Sequence, residues 1–174
     1  APIIVDAQPS AAGDGREVLV VRSGAGEFAS SEFHLPQLRQ LHLLDGPQGE
    51  QVVLRRLPGW FRAEVVVEDG PGMDEVVVEE ELDERVQGLS LASDTVTIRA
   101  ALNSPCPVNI NSVTPLVISS PCVCTGALSI TIAAPQITLS GTGSLETDDG
   151  NIDLDVGSGG FANGGAGPLR TNGD

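Results

Sequence analysis

Apolar and polar positions alternate along this chain in short runs, and the runs recur in three tracks. The first passes through Val18/Val20, Leu41/Leu43, Val65/Val67, Leu89/Leu91, Val108/Ile110, Ile130/Ile132 and Ile152/Leu154. The second follows at Val52/Leu54, Val76/Val78, Val96/Ile98, Leu116/Ile118 and Ile137/Leu139. The third is a line of mostly single residues, Leu38, Phe61, Leu82, Leu102, Cys122 and Leu145. Each track advances by about 19 to 24 residues per step, and the three interleave in constant order. That step is one coil of a β-solenoid.

Within each step the residues suit strands. EVLVV (17–21), AEVVVED (63–69), TVTIRA (95–100) and LSITIA (128–133) are β-branched and bounded by Gly, Pro, Asn, Asp or Ser. Thr95 and Thr97 alternate with Val96 and Ile98, as Asp153 and Asp155 do with Ile152 and Leu154. Period-2 alternation sends one set to a core and the other to water. Two stretches compete as short helices, 35–44 and 79–88, and both also read as strand ends plus corners. The expected domains are an extended N-terminal segment and linker over 1–15, a solenoid over 16–160, and a Gly-rich tail over 161–174. Coils before about residue 87 are longer, more charged and less regular, and two subdomains meeting near Gln87 are the alternative.

Residues 126–160, GALSITIAAPQITLSGTGSLETDDGNIDLDVGSGG, add a family likeness. Together with the stretch from about residue 87, they resemble the repeats of filamentous-haemagglutinin-like secreted proteins and surface adhesins. The resemblance implies a right-handed parallel β-helix and an exported protein that acts in adhesion or as a structural fibre. The expected fold is therefore an all-β, right-handed parallel β-solenoid with coils of about 20 to 24 residues and an irregular N-terminal coil or cap.

Composition narrows the partners. The 174 residues carry 24 acidic side chains against nine arginines and no lysine, a formal charge of −15. Such a surface repels nucleic acid and anionic lipid. No stretch is long and apolar enough to span a bilayer, and no charged n-region with a following apolar run opens the sequence. Solenoid ends expose strand edges that need caps or partners. Ile3, Ile4 and Val5 at one end, and Ile152, Leu154 and Phe161 at the other, are the expected self-association residues. The N-terminal segment either adds as a strand to a neighbour or folds back over its own first coil.

Three cysteines do not make a disulfide scaffold. The solenoid register brings Cys106 near Cys122 and Cys124, so a rung-to-rung disulfide to Cys124 or to Cys122 competes evenly with free buried thiols, and a metal is the least favoured of the three. Asp148, Asp149, Asp153 and Asp155 are the candidate Ca²⁺ ligands, since carboxylates at a corner supply the oxygens that this ion takes. Their alternative is a solvated acidic strand face. Paired acids also suggest glycoside cleavage, but one Trp, no Tyr and four Phe leave little with which to stack a sugar. Glu79 and Glu81 read as solubilising edge charges, His34 and His42 lack a second ligand set, and Trp60 reads as a corner or cap residue. The expectation is a non-enzymatic extracellular or cell-surface subunit that associates head to tail with itself. The alternatives are a segment of a larger adhesin that meets other surface proteins, and a carbohydrate-binding or polysaccharide-cleaving β-helix.

Overall fold

The three tracks become three stacked columns of strands. The structure is a computed structural model that describes residues 2–24, 26, 29–44, 49–68, 70, 72–103, 106–164 and 167–171. Those residues form seventeen strands and no helix, so no helix among them is long and apolar enough to cross a membrane. The chain opens with β1 (Ile3–Pro9), β2 (Glu17–Ser23) and β3 (Ser31–Phe33), and then winds as a β-solenoid of about five turns.

The first column stacks β4 (Gln40–Leu44), β6 (Ala63–Glu68), β8 (Val86–Ser93), β11 (Val108–Ser112) and the first halves of β14 (Ile130–Leu139) and β16 (Ile152–Asn163). The second stacks β1, β5 (Gln51–Leu54), β7 (Glu75–Val78), β9 (Thr95–Ile98), β12 (Leu116–Ile118) and the second halves of β14 and β16. The third stacks β10 (Leu102–Asn103), β13 (Pro121–Cys124), β15 (Ser144–Thr147) and β17 (Leu169–Thr171), with Leu82 bridged to Leu102. All these pairings are parallel.

Register follows the tracks rung by rung. Leu41 lies opposite Val65, Val65 opposite Leu89, Leu89 opposite Val108, Val108 opposite Ile130 and Ile130 opposite Ile152. In the third column Leu82, Leu102, Cys122, Leu145 and Leu169 continue one another. A one-residue slip would turn every one of these side chains out to water, so the register is tightly specified. The inward faces meet in one core cluster running from Val5 to Leu145, and it crosses position 87 without a break. β14 turns the corner between the first two columns at Pro135, where its pairing with β16 shifts register. Proline fits there because a corner needs no ladder donor. Coils approach closely at other corners. A Cβ on Gly143 would lie 2.0 Å from the Ile118 carbonyl oxygen, which leaves room for glycine alone.

The N-terminal end departs from the expected register. Val18 and Val20 do not open the first column, because β2 runs antiparallel to β1, with Val20 opposite Asp6 and Val18 opposite Gln8. Gly13 and Gly15, at φ 68° and 75°, let the chain reverse into a hairpin. Alternation alone cannot tell a parallel rung from an antiparallel one. The extended segment expected at the N-terminus contains β1, which prolongs the second column with Ile3 opposite Val52 and Val5 opposite Leu54. The stretches 35–44 and 79–88 hold turns and strands. At the other end, β16 runs to Asn163 and β17 supplies a last rung of the third column inside the expected tail. Positions 165, 166 and 172–174 of that tail lie outside the described residues.

Candidate functional site

The two ends of the rod differ in how they finish. At the N-terminal end β1 has both edges paired, to β5 on one side and to β2 on the other. Ile4 and Val5 are buried, and β2 sends Leu19 into the main core at 1% exposure. Strand exchange through Ile3, Ile4 and Val5 is therefore taken up inside the chain. The hairpin is tied down by the loop after β5. The Glu17 carboxylate accepts hydrogen bonds from the Gly59 amide and from Arg56, and the Trp60 indole N–H donates to the Glu17 carbonyl at 2.7 Å. The Gly59 amide, followed by Arg56, holds the Glu17 carboxyl below its ordinary range despite partial desolvation. His34 packs edge-on against Trp60 with ring centroids 5.2 Å apart. Further along the same side, the Arg85 guanidinium holds the Asp83 carboxyl low and donates to the Leu57 carbonyl at 3.0 Å. Trp60 is thus a cap residue.

The C-terminal end carries no such cap among the described residues. The inward side chains of the penultimate coil, Ile130, Ile132, Ile137, Leu139 and Leu145, are all 0% exposed. Their partners one rung on, Ile152, Leu154 and Phe161, are only half-buried, and Leu169 is 43% exposed. Ile152, Leu154, Leu169, Arg170 and Thr171 line a depression of about 280 Å³ on this face. Ion pairing of Arg170 with Glu146 at 2.7 Å closes one side of it. Ile152 and Leu154, expected at this end, share that depression, while Phe161 packs against the core in the second column opposite Ile137.

The four aspartates are not gathered into an ion site. Asp148 and Asp149 lie at the turn before β16, Asp153 and Asp155 point outward from the strand itself, and all four are exposed. No group of three or more His, Cys, Asp or Glu among the described residues converges as metal ligands would. Glu64 lines one surface depression and Asp155 another, each without a second carboxylate in its lining among the described residues.

Cys106 and Cys124 form a disulfide across neighbouring coils, with Cα atoms 5.6 Å apart. Cys122 remains a thiol, buried between Leu102 and Leu145. Burial pushes that thiol up to about 12, so it is neither nucleophilic nor a ready metal ligand.

Two features have no counterpart in the sequence patterns. On the outer face of the second column, Ile4, Val53 and Val77 make a small second cluster. It is flanked by hydrogen-bonded ladders, Gln51 to Glu75 at 2.6 Å and Arg55 to Glu79 at 2.8 Å. The second feature is a cleft of about 500 Å³ lined by Pro36, Gln37, Leu38, Arg39, Arg62 and Gln87. Only the excess of arginine in the first half of the chain hinted at a basic spot on so acidic a protein. Comparison with protein-family models, with curated proteins and with solved structures finds no match for this chain.

Proposed function

We propose that this chain is an extracellular structural β-solenoid subunit that associates head to tail with its own copies in a surface fibre. The observation that carries the reading is the unfilled last coil. Ile152, Leu154 and Phe161 continue columns whose preceding rungs are fully buried, and the outer edge of β16 has no strand beside it among the described residues. Such an edge, with an apolar face behind it, is a template for another chain. At the opposite end β4 likewise pairs on one side only, with β6. A heterologous contact between unlike ends that does not close into a ring yields a filament.

Three further properties agree with this role. Parallel backbone ladders over stacked Val, Ile and Leu make a stiff rod. A structural disulfide suits an oxidising compartment outside the cytoplasm. The charge of −15 keeps isolated rods soluble and favours neither nucleic acid nor anionic lipid as partner.

Negative-stain electron microscopy and sedimentation over a concentration series test the proposal, with Leu154→Glu and Phe161→Glu as end-face variants. Wild-type chains are expected to lengthen with concentration, and the variants to stay as single rods. Single short rods at every concentration, for wild type and variants alike, would sink the fibre and leave a rung set of a larger adhesin as the reading.

A further inference from the structure

The head-to-tail reading leaves open what selects one end for the other, and one corner of the rod supplies a pairing of charges. Leu38 belongs to the third track and Gln40 begins the first column, so Arg39 stands at the corner between them. One coil on, Arg62 stands at the same corner, between Phe61 and Ala63. Arg39 and Arg62 both line the cleft of about 500 Å³, together with Gln37 and Gln87.

Arg39 and Arg62, like Arg22, form no ion pair with a carboxylate among the described residues, and these two alone share a cleft. Arg16, Arg55, Arg56, Arg85, Arg99 and Arg170 each pair with a carboxylate of this chain. Among the described residues Arg62 donates to the backbone carbonyls of Gly59 and Phe61, at 3.2 and 2.6 Å. Arg39 has no side-chain partner among the described residues. The nearby Glu64 carboxylate is engaged by Gln40 at 3.1 Å. Arg62 lies near enough to Asp83 to help hold that carboxyl low, but among the described residues neither arginine of the cleft is ion-paired, and on a chain of charge −15 two such neighbouring cations form a local site for acidic groups.

The same corner at the other end of the rod is acidic. Thr147 ends the last described rung but one of the third column, Ile152 begins the last rung of the first, and Asp148 and Asp149 lie between them. Both are exposed, and among the described residues the Asp148 carboxylate accepts from the Gly126 amide at 3.3 Å. We infer that Asp148 and Asp149 of one copy enter the Arg39–Arg62 cleft of the next, and that this contact sets the polarity and rotation of the head-to-tail joint. Coaxial stacking of complete coils is blocked, because β1 already holds the place in the second column that residues 160–163 of a neighbour would take. The rods therefore meet off-axis along the shared corner, where charges oppose.

The inference rests on the head-to-tail reading, and charge exchange separates the two. Sedimentation of the full chain at low salt would compare wild type, the pair Arg39→Glu with Arg62→Glu, the pair Asp148→Arg with Asp149→Arg, and an equimolar mixture of the two variants. Each variant alone is expected to associate at least about tenfold more weakly, the scale of like-charge juxtaposition at an interface. The mixture is expected to recover association as pairs, and added salt to weaken the wild type. All four substituted residues are exposed, and Trp60 emission verifies folding. Association of wild type and both variants with one constant would overturn the corner contact and spare the head-to-tail reading. A wild type that stays monomeric throughout would overturn both.

Discussion

Truncation of two side chains in the same ladder, Ile132→Ala and Leu154→Ala, measures how complete the last coil is. Ile132 is 0% exposed and has a register partner on each side, Ile110 below and Leu154 above. Its removal leaves a cavity that stacked backbones on both sides cannot collapse, at a cost of about 3 to 4 kcal/mol. Leu154 has Ile132 on one side and no rung on the other, and is half-buried. Its truncation removes less buried area and opens no closed cavity, so the expected cost is about 1 to 2 kcal/mol. Urea unfolding in dilute solution, read by circular dichroism, gives both values from the midpoint and slope. In the proposed head-to-tail joint a neighbouring copy covers the last rung, so at high protein concentration the Leu154→Ala cost is expected to rise towards the Ile132→Ala value. Equal costs already in dilute solution would mean that the last rung is covered in the isolated chain, and the argument for an open end would fail. A lower slope for Leu154→Ala alone would instead report fraying of the last coil, as nearest-neighbour stacking in a solenoid allows.

The remaining predictions concern the disulfide and the cap. Replacing Cys106 and Cys124 by serine opens a link of sequence separation 18 and is expected to cost about 3 kcal/mol, seen as a lower urea midpoint. Cys122 should resist alkylation in native buffer and react at once in denaturant, as mass spectrometry would reveal; fast native labelling would contradict its burial. Glu17 has a folded pKa below its ordinary 4.5, so its stabilising contribution is fully present above 4.5 and lost as pH falls through the folded value. Glu17→Gln should lower stability at pH 7 and flatten the loss below 4.5, with Trp60 emission following the cap; parallel acid limbs for both proteins would refute this linkage.

The three columns were legible in the sequence because each inward pair repeats with the coil, and a repeat is a local property that alternation and spacing expose. Leu89/Leu91, Val108/Ile110 and Ile130/Ile132 stack in the register their spacing predicts. The apolar residues of the open end were legible for the same reason, since Ile152 and Leu154 are the last beats of the first track. Chain direction was not. Val18 and Val20 have the composition of a rung, but a glycine-containing turn reverses the chain and sets them against β1. The choice between Cys122 and Cys124 was not legible either, because it turns on which side chain continues the third column between Leu102 and Leu145. Leu169 looked like a lone apolar residue in a glycine-rich tail until β15 supplied a partner for its backbone.

The Arg39–Arg62 cleft and the Glu17–Gly59–Trp60 cap belong wholly to the tertiary structure. Their members lie a full coil or more apart in the chain, carry no motif, and meet only because the winding returns the backbone to the same corner. Hydrophobic periodicity by itself determined that this protein winds and which residues fill its core, since burial rewards position in the repeat. Which strand edges are paired, and which charges find carboxylates among the described residues, depend on non-local contacts, and only the folded chain decides those.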